Sequence, residues 1–325
     1  MAKLEHKAAA DRIDPEALPI AKFADPRRTA TGEPRAQVAL SGLRTLWLNT
    51  GTLCNLACAN CYIESSPRND RLAYLSTEEV VGYLNEIEHE GLGTEEIGIT
   101  GGEPFMNPDL PAILRACLER GHRVLLLTNA MRPMMKQAEA LLALRELGAE
   151  RLTLRVSLDH YGPAVHEAER GPRSWAPAIA GLRWLAEAGF HVTIASRQLS
   201  GESDAALRPG FARFFAEHDL PIDANDPHDL VIFPEMDESA DIPEITESCW
   251  GLLGRRPEEV MCAESRMVVK RKGATRPVVV PCTLLPYDAR FDLGETLRDS
   301  AGPVALNHPH CARFCVLGGA SCSAG

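Results

Sequence analysis

The sequence lacks the features of a membrane or secreted protein. No apolar run approaches the roughly 20 residues of a membrane-spanning helix, and residues 1–6 do not lead into the apolar core of a signal peptide. The protein is therefore expected to be cytoplasmic and to have no membrane partner. In that reducing compartment the ten cysteines are expected to be thiols, metal ligands or redox groups rather than disulfides.

An excess of positive charge is also missing. The formal net charge is −11, so no nucleic-acid partner is expected. In other respects the composition is that of a globular protein, with 45% apolar and 24% charged residues. The length of 325 residues allows one large or two medium-sized domains.

Short apolar segments alternate with longer amphipathic ones, a pattern typical of β/α units around a parallel sheet. The predicted strands cover residues 44–50, 95–100, 123–128, 152–158, 191–196 and 230–233. The predicted helices lie near residues 77–90, 108–120, 135–147, 175–188 and 205–218. Periodicity does not distinguish a partial barrel from a doubly wound sheet, but both α/β folds place functional sites at the C-terminal ends of the strands.

The chain divides into three predicted segments. Residues 1–40 are rich in alanine, proline and charge without a sustained period, which predicts a tail or a strap over the barrel. Residues 41–235 carry the β/α units. Residues 236–325 begin with an acidic, irregular bridge and continue into a predicted hairpin, 267–269 with 278–280, that is flanked by cysteines.

Three closely spaced cysteines follow the first predicted strand. They are Cys54, Cys58 and Cys61, in a Cys-x3-Cys-x2-Cys arrangement. Cubane iron–sulfur clusters are normally held by four thiolates, and since no fourth cysteine follows nearby, one iron would be left open to another ligand. The alternatives are a zinc site or three unconnected thiols, although the paired Cys-x2-Cys knuckles typical of structural zinc are absent here.

A second motif follows the next predicted strand, as Thr100-Gly101-Gly102-Glu103-Pro104. Together, in this order, the two motifs resemble those of the radical S-adenosylmethionine (radical SAM) superfamily, over about residues 46–233. The resemblance implies a partial (β/α)6 TIM-like barrel with a [4Fe–4S] cluster on the three cysteines. It also implies reductive cleavage of SAM to methionine and a 5′-deoxyadenosyl radical, which abstracts hydrogen from a substrate.

The same resemblance implies contacts to SAM from the second motif. Gly101 and Gly102 permit close backbone approach to a ligand, and Glu103 would accept a hydrogen bond from the SAM ammonium group. The family often has an aromatic residue before the third cysteine, where this chain has Asn60, so Tyr62 is the aromatic candidate near the adenine.

Polar residues at later strand ends complete the predicted SAM site. The threonine and asparagine after the third strand would contact the methionyl or ribose part, the serine and aspartate after the fourth would bind ribose hydroxyls, and the arginine after the fifth would pair with the SAM carboxylate. The full set of SAM-binding candidates is Gly101, Gly102, Glu103, Pro104, Thr128, Asn129, Ser157, Asp159, Arg197 and Tyr62. No catalytic side chain is assigned, although His160 is a candidate for proton transfer.

Five further cysteines crowd the last 64 residues: Cys262, Cys282, Cys311, Cys315 and Cys322. With the hairpin at Gly273, they resemble a twitch domain, the shorter relative of the SPASM extension, which implies one auxiliary [4Fe–4S] cluster. The preferred ligands are the first four, and Cys322 could replace Cys311 or Cys315. A structural zinc site or a group of reduced thiols is the alternative.

The leading functional hypothesis is therefore a radical SAM oxidoreductase or cyclase, supplied with electrons by a flavodoxin- or ferredoxin-type protein. The auxiliary cluster would take an electron from a substrate radical or ligate the substrate. The roughly 40-residue N-terminal tail is shorter than a leader-binding winged helix of about 80 residues, which favours a small-molecule substrate over a peptide. A ribosomal-peptide maturase and a non-catalytic iron–sulfur electron carrier are the alternatives.

Overall fold

The computed structural model describes residues 21–199, 201–234 and 241–319. Its strands are β1 (Gln37–Val38), β2 (Thr45–Asn49), β3 (Glu96–Thr100), β4 (Arg123–Thr128), β5 (Leu152–Ser157), β6 (His191–Arg197), β7 (Leu230–Phe233), β8 (Ser265–Val269), β9 (Val278–Val280) and β10 (Val304–Ala305). Its helices are α1 (Thr77–Glu90), α2 (Leu110–Glu119), α3 (Arg132–Met135), α4 (Ala138–Gly148), α5 (Pro163–Arg170), α6 (Trp175–Glu187), α7 (Asp204–Glu217) and α8 (Cys249–Leu253). A π-helical segment, Cys311–Leu317, follows β10.

One sheet organises the chain, in the strand order β7-β6-β5-β4-β3-β2-β8-β9. Strands β2 to β7 pair in parallel with their neighbours in sequence. Because every crossover moves in one direction and crossovers are right-handed, the helices lie on one face of the sheet. This order has no reversal point, so it is that of a partial (β/α)6 barrel and not of a doubly wound sheet.

Side chains on successive strand positions face two different cores. Leu46 and Leu48 of β2 belong to the outer core, between the sheet and the helices, whereas Trp47 belongs to the inner core. The inner core is completed by the N-terminal segment from Phe23 and by the cysteine-rich C-terminal segment. This alternation with period two means that the concave face of the sheet is covered by the two ends of the described chain.

The C-terminal hairpin is confirmed, and it joins the main sheet. Strand β8 pairs in parallel with β2, and β9 pairs with β8 in the antiparallel direction. A separate two-stranded sheet, β1 with β10, and the buried ion pair of Arg35 with Glu244 tie the N-terminal strap to the C-terminal segment. The division of the chain at residues 40 and 235 into three domains stays a prediction.

Helix α6 makes a close backbone approach to the loop that follows β4. A Cβ atom at Gly181 would lie 1.7 Å from the carbonyl oxygen of Ala130, which itself has a positive φ of 55°. This contact fixes the loop that begins with Thr128 and Asn129. Among the described residues, no helix has the length and apolar character needed to cross a membrane.

We expect Gly181→Ala to lower the free energy of unfolding by about 1–3 kcal/mol, because the added methyl group forces α6 away from the loop after β4. Urea denaturation followed by circular dichroism measures the change. Gly82→Ala is the matched control, since Gly82 is also helical but has open space around its Cβ position. That control should be stabilising by about 0.5–1 kcal/mol, and equal effects of the two substitutions would contradict the packing described.

Candidate functional site

A cavity of about 150 Å³ opens at the C-terminal ends of the parallel strands. It brings together nearly all the residues predicted for the first cluster and for SAM. Those that line it are Cys54, Cys58, Cys61, Tyr62, Gly101, Gly102, Pro104, Thr128, Asn129, Ser157, Asp159 and Arg197. Each is the last residue of a strand or belongs to the loop that follows β2, β3, β4 or β5, as expected for a site at this end of a parallel sheet.

The cysteine loop holds its sulfur atoms close to backbone N–H groups. Leu56 N lies 3.4 Å from Cys54 Sγ, and Ser65 N lies 3.3 Å from Cys61 Sγ. Burial raises the pKa of Cys54 to about 12 and that of Cys58 to about 11. Both therefore remain thiols at neutral pH until a metal supplies the positive charge that favours thiolates.

The donor set fits an iron–sulfur cluster better than a single metal ion. Three thiols line one cavity, and in a cubane cluster each thiolate ligates its own iron. A single ion would need its ligands to converge on one point, and no three histidine, cysteine or acidic side chains in the described part of the chain do so.

The two sequence motifs are joined directly through their backbones. Gly102 N donates to Gly51 O at 2.8 Å, and Glu103 N donates to Leu53 O at 3.1 Å. A Cβ at Gly102 would lie 2.2 Å from Leu53 O, and one at Gly101 would lie 2.6 Å from Gly51 O. The glycines are therefore needed for contact with the cysteine loop itself, a reason that sequence reasoning did not give.

Glu103 occupies a different position from its predicted neighbours. It is 2% exposed and does not line the cavity. Its carboxylate accepts hydrogen bonds from Thr128 Oγ1 and Asn129 N, both at 2.8 Å, and from Phe105 N at 3.3 Å. The contact of Glu103 with SAM stays a prediction, while the structure shows that its carboxylate fixes the loop after β4.

Helix α5 supplies two site residues that were not predicted, Glu169 and Arg170. The Arg170 guanidinium forms two hydrogen bonds with the Asp159 carboxylate, at 2.6 and 3.1 Å. Proline at the first helical position and glycine after the last, Pro163 and Gly171, are typical helix boundaries and could have revealed α5 in the sequence.

Glu169 connects the predicted carboxylate-binding arginine to the cysteine loop. It accepts hydrogen bonds from the backbone and the amide side chain of Asn60, at 2.9 and 2.7 Å, and pairs with Arg197 at 3.3 Å. Arg197 also donates to Asn60 O at 2.7 Å. The predicted roles of Asp159 and Arg197 toward SAM stay predictions, and both side chains already have protein partners.

His160 lies outside the cavity and is bound within the protein. Its Nδ1 accepts a hydrogen bond from Gly162 N at 2.9 Å, so Nε2 carries the proton and donates to Glu202 at 3.2 Å. The histidine is buried and stacks on Tyr161. These contacts give His160 a structural position rather than a place beside the cysteines.

A second, small cavity of about 20 Å³ lies in the C-terminal segment. The four preferred auxiliary ligands all line it: Cys262, Cys282, Cys311 and Cys315. Each is buried, and most of the remaining lining is apolar. Burial raises the pKa of Cys262 to about 11 and that of Cys311 to about 12. Cys322, the fifth candidate, lies outside the described residues.

Comparisons with known proteins agree on one family. Residues 48–208 match the model of the Radical SAM superfamily. The subtilosin biosynthesis protein AlbA of Bacillus subtilis is 32% identical over 143 residues, which cover 44% of this chain and 30% of that protein. GTP 3′,8-cyclase of Rhodococcus opacus is 31% identical over 194 residues, which cover 56% of this chain and 53% of that protein.

A solved structure shows the same fold. SuiB of Streptococcus suis bound to S-adenosylmethionine aligns with a TM-score of 0.56 at 14% identity, over 78% of this chain and 63% of that one. This chain therefore spans about a third to a half of the two curated relatives and somewhat under two thirds of SuiB. The partial barrel expected from the sequence is confirmed by this likeness and by the strand order.

Stability should depend on pH through Glu103. Burial raises its pKa from 4.5 to about 7, against the opposing effect of the hydrogen bond from Asn129 N. The folded protein therefore keeps a proton that the unfolded chain has lost, and the free energy of unfolding should fall as pH rises from about 4.5 to about 7. In the absence of SAM, the free energy of unfolding of Glu103→Gln should fall by about 3 kcal/mol less than that of the wild type over this pH range.

Urea denaturation of the wild type and the variant between pH 4.5 and pH 8 measures the effect. The difference between the two proteins isolates Glu103 from the other titrating groups. Parallel stability curves for the two proteins would contradict a raised pKa at this position.

Proposed function

Since residues 48–208 of this chain are a radical SAM domain, we propose that the protein reductively cleaves S-adenosylmethionine and uses the resulting radical to abstract hydrogen from a substrate. One observation carries the proposal: the cysteine loop and the polar ends of the strands meet in a single cavity. When bound, a [4Fe–4S] cluster on Cys54, Cys58 and Cys61 would supply the electron, and SAM would supply the 5′-deoxyadenosyl group.

The protein's own contribution is to fix the cavity walls and to limit access of water. Asn60, Glu169 and Arg197 form a hydrogen-bonded connection between the cysteine loop, α5 and β6. The pair Asp159–Arg170 is buried beside it, so most of its charge is balanced before a ligand enters. A cavity with fixed, paired polar groups suits a radical that must react with one C–H bond and no other.

We further propose an auxiliary [4Fe–4S] cluster on Cys262, Cys282, Cys311 and Cys315. The support is that four thiols from separate parts of the C-terminal segment line one cavity. Four thiolates complete the usual ligand set of a cubane, which favours transfer of an electron over ligation of a substrate. Cys322 remains the alternative ligand.

Two substrate classes follow from the relatives. A small molecule is the first candidate, because one relative is a GTP 3′,8-cyclase. A peptide is the second candidate, because AlbA serves bacteriocin biosynthesis and a SuiB structure contains a precursor peptide. In either case we propose a cytoplasmic enzyme that receives electrons from a flavodoxin- or ferredoxin-type protein.

Cys58→Ala is expected to abolish formation of 5′-deoxyadenosine from SAM and dithionite, because a ligand of the first cluster is lost. Chromatography of the products measures this. Cys117→Ala is the control, since Cys117 is buried in α2 and lines neither cavity. Normal cleavage by the Cys58 variant would refute the site, and iron without cleavage in the unsubstituted protein would favour the electron carrier.

Cys282→Ala is expected to lower the iron content from about eight to about four atoms per chain after anaerobic reconstitution, because only the auxiliary cluster loses a ligand. Iron and sulfide analysis measures the change, and SAM cleavage should persist in the variant. An iron content equal to that of the unsubstituted protein would exclude Cys282 as a ligand, and about four irons in both proteins would exclude the auxiliary cluster.

A further inference from the structure

A fully buried arginine is hydrogen-bonded to the backbone of Cys262, one of the residues that line the second cavity. Arg266 belongs to β8 and has an exposed fraction of 0%. Among the described residues its guanidinium donates to backbone carbonyl oxygens, those of Ser300 at 2.9 Å, Cys262 at 2.7 Å, Ser265 at 2.8 Å and Gly302 at 3.2 Å. The hydrogen-bonding capacity of the side chain is therefore well satisfied by neutral groups.

No acidic side chain within the described residues pairs with Arg266. The contrast with Arg35 is informative, because that arginine is equally buried and pairs with the Glu244 carboxylate. Buried charges in proteins are normally paired or coordinate an ion, since an unpaired buried charge is very costly. A nearby anion is therefore expected in the complete protein.

The thiols of the second cavity are the groups that can supply this anion. Arg266 Nη1 donates at 2.7 Å to the carbonyl oxygen of Cys262, and Cys262 lines the second cavity together with Cys282, Cys311 and Cys315. The guanidinium therefore lies next to the residues that would carry the negative charge of a bound cluster.

We propose that Arg266 is the buried counter-ion of an anionic iron–sulfur cluster held by Cys262, Cys282, Cys311 and Cys315, and that it raises the reduction potential of that cluster. The inference rests on the auxiliary cluster proposed above and assigns it an electron-accepting role. Four thiolates around the cluster leave a net negative charge, and reduction adds one further electron. A fixed cation in a medium of low dielectric constant favours the reduced state.

The electron transfer in this proposal is consistent with the proposed function. A substrate radical left by hydrogen abstraction gives up one electron and is oxidised, while the auxiliary cluster takes up that electron and is reduced. A higher potential makes this transfer more favourable. Arg266 is a positioning and charge-setting residue in this scheme, and it touches neither substrate nor SAM.

The test is a redox titration of the auxiliary cluster, followed by electron paramagnetic resonance. The first cluster is removed from every sample by Cys54→Ala, Cys58→Ala and Cys61→Ala, so the remaining signal belongs to the second site. In this background we expect Arg266→Gln to reduce the equilibrium constant for cluster reduction at least tenfold, which is 59 mV for a one-electron couple. Arg266→Lys keeps the charge and should stay closer to the unsubstituted potential.

Arg155→Gln in the same background is the control, because Arg155 is also buried but lies on β5 in the barrel. It should leave the potential unchanged. If Arg266→Gln retains the cluster at the unsubstituted potential, the counter-ion role is refuted. If Arg266→Gln loses the cluster, retention of about four irons by Arg266→Lys supports the role of charge, and equal loss by both variants refutes it.

Iron analysis of the background protein separates this inference from the function on which it rests. If the three alanine substitutions leave no iron at all, the auxiliary cluster is refuted and Arg266 has no cluster to balance. About four irons with an unchanged potential in Arg266→Gln would refute the counter-ion alone.

Discussion

The close approach of two backbone segments is the constraint on which the first site depends. The loop after β2 and the loop after β3 share hydrogen bonds between Gly102 and Gly51 and between Glu103 and Leu53. A side chain on either glycine of the second loop would push the cysteine loop away. The cysteine loop, the buried Glu103 carboxylate and the loop after β4 are therefore connected by hydrogen bonds within the protein itself.

The two cavities differ in whether the buried charged side chains around them are paired. Around the first cavity, Asp159 with Arg170 and Glu169 with Arg197 form pairs that balance one another. Beside the second, Arg266 is buried with backbone carbonyl oxygens as its partners and with no acidic partner among the described residues. The charges of the first arrangement are balanced within the protein, whereas the second arrangement suits a permanently bound anionic group.

The inner core lies next to both sites. The C-terminal segment packs against the concave face of the sheet, with Trp47 and Leu125 contributing from the strands. Phe233 lines the first cavity and packs on Phe314, with 5.5 Å between ring centroids. Phe314 lies between Cys311 and Cys315 on the π-helical segment. This contact therefore joins a wall residue of the first cavity to the helical segment that carries two cysteines of the second.

The sequence by itself determined the β/α order, the C-terminal hairpin and the residues of the two cysteine groups, because these depend on local periodicity and on short motifs. It could not separate a barrel from a doubly wound sheet, since that choice depends on which strands become neighbours. Nor could it show that β8 joins β2, that α5 brings Glu169 and Arg170 to the cavity, or that Arg266 has no acidic partner in the described part of the chain. Those facts depend on contacts between residues far apart in the chain, which only the tertiary structure decides.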